Sequence, residues 1–301
     1  LKVLTLDYLD CKEKHFINDL KTGLRDTGFV IMKNHPISDK LISDSYKEVE
    51  KFFLKTTEYK NKFKNKKILQ SGYIPFGIEK AKDSKRYDLK EFFQVVNEDA
   101  LSHTSIKNIW TDDIKFNKTM KELYRQMYNM SEILLEALLG KGLDTSPEYL
   151  KEIMTNMNSV LRIIHYPPLD GKDAKKGHVR ASAHEDINLI TIMPGASETG
   201  LEILGKDGVW IPIEANYNYL IIDSGDMLTR ITNDEFKATT HRVVNPSDKN
   251  NRRFSMPFFC HPNPKATLKC IDSCRGDGEK YEEINAEKLL NERLKDINLK
   301  K

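Results

Sequence analysis

Ala183-His184-Glu185-Asp186 puts an imidazole and a carboxylate two residues apart. In an extended strand such neighbours leave the same face, while Glu185 leaves the other. His241, far downstream, can bring a second imidazole from another strand. Two neutral histidines and one carboxylate on one face of an octahedral ion leave open positions, a donor set suited to Fe(II) and dioxygen. The same donors would serve a hydrolytic zinc. Arg253 and Ser255 repeat the two-residue spacing, so a guanidinium fork and a hydroxyl can meet one carboxylate. That suits the far end of a dicarboxylate and has no task in a zinc hydrolase. Fe(II) held this way keeps a net charge of about +1, so it can take a dianionic, bidentate 2-oxo acid and still admit dioxygen. Arg252 faces the opposite way in a strand and is read as solvent-facing.

These residues need strands to carry them, and the pattern supplies them after residue 158. Short apolar runs at 160–164, 187–193, 201–204, 209–213, 219–222, 241–244 and 253–259 alternate with turns rich in Gly, Pro, Asn and Asp. Short strands at near-regular spacing indicate an antiparallel barrel or jelly roll, whose open mouth can hold a metal and a ligand. The first half reads differently: a strand at 3–7, a helix to about Asp26, a strand at 28–32, a helix from Ser38 to about Lys67, a strand at 89–96, and helices at 112–139 and 147–157. A charged amphipathic helix occupies 285–299. The expectation is an α+β protein: a helix-rich region, 1–157, packed on a jelly-roll region, 158–301, as one cooperative unit.

Charge and cysteine content exclude several classes of partner. Forty-eight basic residues against 45 acidic ones give a net charge of +3, too balanced to point to nucleic acid or an anionic membrane. The lysines at 60, 62, 64, 66 and 67 form a lone basic run, read as a solvated face. No apolar run reaches the length of a signal sequence or membrane span, and Cys11, Cys260, Cys270 and Cys274 read as free thiols. A small-molecule substrate and a cytoplasmic location are expected, with the oligomeric state open.

The motifs in order are His184-Glu185-Asp186, Gly200-Leu201-Glu202-Ile203-Leu204, Trp210-Ile211-Pro212, Gly225-Asp226-Met227-Leu228, His241-Arg242-Val243-Val244-Asn245-Pro246 and Arg253-Phe254-Ser255. Together with Gly28-Phe29-Val30, Asn34-His35 and Gly72-Tyr73 they resemble the isopenicillin N synthase-like 2-oxoglutarate/Fe(II)-dependent oxygenases over nearly the whole chain. The resemblance implies a double-stranded β-helix core, with Fe(II) on His184, Asp186 and His241. It further implies 2-oxoglutarate on Arg253 and Ser255, with the Tyr166 hydroxyl completing that carboxylate pocket; packing against Pro167 and Pro168 is the plainer reading of Tyr166. The implied reaction couples dioxygen and oxidative decarboxylation of 2-oxoglutarate to hydroxylation, desaturation or ring closure of a small molecule. Plant members commonly carry asparagine and tyrosine where this chain has Ile164 and His165. Within the family an oxidase using no 2-oxo acid is the alternative, and a non-catalytic metal-binding module is another.

Substrate contacts are expected from the irregular segment 71–88, read as a lid with Tyr73 and Phe76 closing on the ligand, and from Arg162 and Phe258. His165 is read as packing away from Tyr166. His15, His103, His178 and His261 are read as structural or surface histidines.

Overall fold

The computed structural model describes residues 2–65, 69–80, 87–100, 106–168, 179–245 and 251–300. Lys66, Lys67, His103, His178, Pro246 and residues 81–86 of the expected lid lie outside the described residues. The first half holds β1 (Leu4–Asp7), α1 (Lys14–Asp26), β2 (Phe29–Lys33), α2 (Asp39–Phe53), α3 (Thr57–Asn61), β3 (Gly72–Ile74), β4 (Glu91–Val96), α4 (Ile114–Leu135) and α5 (Pro147–Met154). The second half adds β5 (Val160–Tyr166), β6 (Ala181–His184), β7 (Ile190–Pro194), β8 (Leu201–Leu204), β9 (Trp210–Pro212) and β10 (Leu220–Ser224). There follow α6 (Asp226–Ile231), β11 (His241–Val243), β12 (Arg253–Ser255), β13 (Phe258–Cys260), the pair β14 (Thr267–Leu268) and β15 (Ile284–Asn285), and α7 (Ala286–Asp296).

Helix starts follow capping chemistry. Ser38 accepts from the Leu41 amide, Asp113 from those of Lys115 and Phe116, and Ser146 from that of Tyr149 ahead of Pro147 at the first helical position. The single helix expected from Ser38 to Lys67 is two, because α2 ends at Phe53, with Leu54 as its C-cap, and Thr56 caps a new start by accepting from the Tyr59 amide. The short helix α6, just after the motif glycine Gly225, was not anticipated.

Among the described residues, nine strands make a major sheet in the order β1-β2-β10-β7-β13-β5-β4-β3, with β12 also paired to β5. A four-stranded sheet, β6-β11-β8-β9, faces it. Alternation sorts the side chains of the major sheet into two sets. Val30, Met32, Ile192, Leu220, Ile222, Leu161, Ile163 and Phe258 pack with the helices in the larger core. Phe29, Ile31 and Ile221 turn inward and meet Leu201 and Ile203 of the smaller sheet. This is the expected jelly roll between two sheets. Of the first-half strands, β1, β2 and β4 match expected ones, whereas β3 falls in the segment read as irregular, and all four belong to the major sheet.

Two strands differ in extent from their sequence reading. The run 253–259 is broken around Pro257, which lacks an amide for the ladder: β12 pairs with β5 alone, and β13 with β5 and β7. The strand expected from Ile187 begins at Ile190, so Asp186 sits in a turn past the end of β6. No helix among the described residues is long and apolar enough to cross a membrane, and all four cysteines are free.

Candidate active site

His184 and His241 are cross-strand partners in β6 and β11, with ring centroids 4.3 Å apart. Register alone therefore brings the two imidazoles together. Asp186 is placed by the turn instead of by strand alternation. Its backbone carbonyl accepts from the Asp226 amide at 2.8 Å, and the Gly225 amide donates to the Leu189 carbonyl at 3.0 Å. This close docking of α6 onto the turn needs glycine at 225, where a Cβ would lie 2.2 Å from the Asn188 carbonyl oxygen. Asp186 Oδ1 then lies 3.8 Å from His184 Nε2 and 3.7 Å from His241 Nε2, and the three donor atoms fall within 4.8 Å of one another.

The tautomers suit a cation. Nδ1 of His184 bonds the Ser182 carbonyl at 2.7 Å, and Nδ1 of His241 bonds the Thr239 carbonyl at 3.1 Å. A carbonyl only accepts, so each Nδ1 carries the proton and each Nε2 presents a lone pair toward Asp186. Burial, with His184 beside it, pushes His241 below the usual histidine range and keeps it neutral. Thr191 donates its hydroxyl to Asp186 Oδ2 and accepts from Asn188 Nδ2 at 2.9 Å, which orients the carboxylate. Behind this, burial and the Asp186 charge push Asp223 well above the usual carboxylate range. Two imidazole nitrogens and one carboxylate oxygen, all aimed at one point, fit Fe(II).

An inner cavity runs from this triad to β5 and β12. Arg253 stands opposite Tyr166, and Ser255 opposite Ile164, in the β12–β5 register. All but a few per cent of Tyr166, Arg253 and Ser255 is buried, and the Arg253 guanidinium lies 5.1 Å from the Tyr166 ring centre. Arg253 Nε donates to the Glu198 carbonyl at 3.1 Å, which fixes the plane of the fork. Arg252 borders a groove on the outside of the sheet, as its parity requires. His165 faces away from Tyr166, with Nδ1 2.8 Å from Glu91 Oε1.

An outer cavity of about 400 Å³ opens on the other side of His184 and Asp186. Arg162 borders both cavities. Its Nη1 bonds Glu79 Oε2 at 2.8 Å, its Nε bonds Gln94 Oε1 at 3.0 Å, and its guanidinium lies 4.5 Å and 5.0 Å from the rings of Phe92 and Phe259. Lys90 also borders both, bridging Glu79 Oε1 at 2.5 Å and Asp88 Oδ2 at 2.9 Å. Burial alone would raise Glu79, but Arg162 and Lys90 more than offset it and bring it down to about 2. Burial alone would lower Lys90, and Glu79 and Asp88 raise it above the usual lysine range. Leu290, Leu294 and Ile297, on and after α7, close the far wall.

Three expected substrate contacts lie elsewhere. Tyr73 is buried in the helix-facing core, its ring against Phe52 and its hydroxyl donating to Glu91, so it belongs to the packing of β3 and not to the lining of either cavity. Phe258 is fully buried against Tyr124, and its neighbour Phe259 faces the cavities in its place. Phe76 is 43% exposed and lines neither cavity. The described part of 71–88 thus supplies Glu79, Lys80 and Asp88 to the outer cavity instead of aromatics. Lys90, Phe259 and His261 were missed. The signal for them was parity: Lys90 is two residues from Phe92 and across from Tyr166, and Phe259 and His261 continue the inward set of Arg253 and Ser255.

Comparisons with known proteins agree with this geometry. Residues 157–262 match the 2OG-Fe(II) oxygenase superfamily, and residues 1–113 match the family described as non-haem dioxygenase in morphine synthesis N-terminal. A Caulobacter crescentus protein assigned to the 2OG-Fe(II) oxygenase family is 33% identical, with TM-score 0.85 over 97% of this chain and 98% of that one. A Neurospora crassa protein crystallised in complex with alpha-KG (2-oxoglutarate) and thymine is 26% identical, with TM-score 0.86 over 97% and 96%. The 2-oxoglutarate-dependent dioxygenase citB of Monascus ruber is 27% identical over 92% of this chain and 88% of its own. Sequence, fold and donor set agree, and the chain belongs to the 2OG-Fe(II) oxygenase superfamily, in its isopenicillin N synthase-like branch, as a 2-oxoglutarate-dependent oxidoreductase that takes Fe(II).

Proposed function

We propose that this oxygenase hydroxylates a small organic molecule held in the outer cavity, with Fe(II) on His184, Asp186 and His241 and with 2-oxoglutarate on Arg253, Ser255 and Tyr166. The observation that carries the reading is the arrangement of two cavities meeting at one triad, one ending at a buried Arg253 and the other open toward α7. Bound Fe(II) supplies the site where dioxygen, substrate and 2-oxoglutarate are converted to hydroxylated product, succinate and carbon dioxide. The protein's own part is positional. The Ser182 and Thr239 carbonyls fix both imidazole tautomers, and the Thr191 hydroxyl holds Asp186 Oδ2 so that Oδ1 faces them. The Arg253 fork and the Ser255 hydroxyl clamp the distal carboxylate, with the Tyr166 hydroxyl as third donor. Apolar Phe29, Leu201 and Ile221 keep water from the inner cavity.

Arg162 is the substrate contact retained from the sequence, by its place on the wall shared by both cavities. The thymine held by the Neurospora relative supports a substrate of that scale. The experiment is product analysis after incubating iron-loaded protein with 2-oxoglutarate, dioxygen and a metabolite pool. The reading expects one compound to gain a single oxygen atom in step with succinate. Succinate formed alongside a desaturated or cyclised product would move the assignment to another outcome of the same site, and turnover of a substrate without succinate would contradict it.

A further inference from the structure

His261 follows β13 and continues the inward parity of Phe259, so its ring borders the outer cavity. It is 9% exposed, and its Nδ1 is buried with no hydrogen-bond partner among the described residues. Such a group is costly to leave unmatched, and a turn of the ring toward the cavity it borders would bring Nδ1 to a ligand there. Burial pushes His261 down to about 4, so near neutral pH the imidazole is uncharged and offers one donor and one acceptor. The ring also borders a recess whose polar lining is the amides of Gln70, Gln94 and Asn158 together with Arg162, whose charge is matched by Glu79.

The deeply buried cations on the same wall are already matched, while Lys80, which also lines the cavity, is only half-buried. Lys90 lies between Glu79 and Asp88, Arg162 is tied to Glu79, and Arg293 Nη2 bonds Asp226 Oδ2 at 2.9 Å. An anionic substrate reaching Arg162 would have to displace Glu79 and leave a buried carboxylate unpaired, and a cation would compete with Lys90 and Arg162 for the same oxygens. Apolar Phe259, Leu290 and Leu294 complete the enclosure.

We infer that the substrate is a neutral molecule with a hydrogen-bonding edge, and that His261 is the residue that reads that edge. The inference rests on the iron and 2-oxoglutarate reading above. It replaces the acidic substrate that Arg162 alone would suggest.

The test uses the whole iron-loaded chain and succinate release stimulated by metabolites taken as matched neutral and carboxylate pairs, uracil with orotate and nicotinamide with nicotinate among them. The expected result is that stimulation comes from neutral members, with the carboxylate partner at least about tenfold poorer in KM, the weight of one or two unmatched polar groups. His261→Phe is expected to raise the KM of the stimulating compound by about tenfold while the KM for 2-oxoglutarate moves less than about twofold, and His261→Asn to recover most of the loss because its amide can reach the place of Nδ1. Stimulation by carboxylates as strong as by their neutral partners would overturn the inference. So would a His261→Phe enzyme with unchanged KM, or a panel in which no neutral member stimulates while 2-oxoglutarate is still slowly turned over. Absence of all succinate under every condition, with iron bound, would instead fall on the underlying 2-oxoglutarate reading.

Discussion

At the scale of single residues, the site depends on which atoms are left free after local bonding. Arg253 Nε is occupied by a carbonyl, so its remaining edge must carry recognition. Arg253→Lys is expected to weaken 2-oxoglutarate binding by about 1.5–3 kcal/mol, roughly ten- to a hundredfold, because a point charge replaces a planar fork. Arg252→Lys, on the outer groove, is expected to change the affinity less than about twofold; titration calorimetry on the two variants separates them. These residues were legible because spacing and type coincide: a histidine two before an aspartate, an arginine two before a serine. His261 was harder to read, since its only signal is alternation counted on from Arg253 and Ser255, and its role depends on a cavity assembled from distant segments. Glu79 was hidden, and parity could place Lys90 but not its partner, because their ion pair is created only by the fold.

At the scale of elements, parity decided more than composition. Tyr73 and Phe76 are aromatics in a glycine-rich stretch, which suggested a lid, yet Gly72–Ile74 is a strand paired with β4 and turns Tyr73 into the core. Tyr73→Ala is therefore expected to destabilise the fold by about 3–5 kcal/mol in chemical denaturation, as for other large aromatic truncations. Tyr73→Phe should cost about 1–3 kcal/mol by leaving Glu91 a donor short. Phe76→Ala should do little to either stability or turnover. Full stability in Tyr73→Ala with loss of coupled turnover would restore the lid reading. The same alternation, counted from Arg253, would have named Phe259 over Phe258. The turn holding Asp186 was less legible, because its conformation comes from α6 docking through Gly225 and not from any strand pattern.

At the scale of the whole molecule, residues of both sheets and a charge network line the cavities. Glu79 joins Lys90 and Arg162 at the centre of that network, and its folded pKa of about 2 lies below the ordinary carboxylate value of 4.5. A depressed pKa contributes stability that is present above about pH 4.5 and is lost as pH falls toward 2. Glu79→Gln is expected to cost about 3–5 kcal/mol at neutral pH, since two buried cations lose a counter-charge. The gap to wild type should narrow as the pH falls from about 4.5 toward 2 in denaturation curves, and a gap independent of pH would contradict the assignment. The jelly roll itself was plain from the short strands after residue 158, while the share of the major sheet made by β1 to β4 was masked by the helices between them. His184, Asp186 and His241 are proposed to join iron to 2-oxoglutarate chemistry. The most direct measurement is succinate formed per 2-oxoglutarate consumed by iron-loaded wild type and Asp186→Ala, with bound iron measured on the same samples. Equal amounts of succinate and consumed 2-oxoglutarate are expected in wild type, with loss of most iron and nearly all succinate in a folded Asp186→Ala. Wild-type iron content and succinate yield in that variant would contradict this proposal.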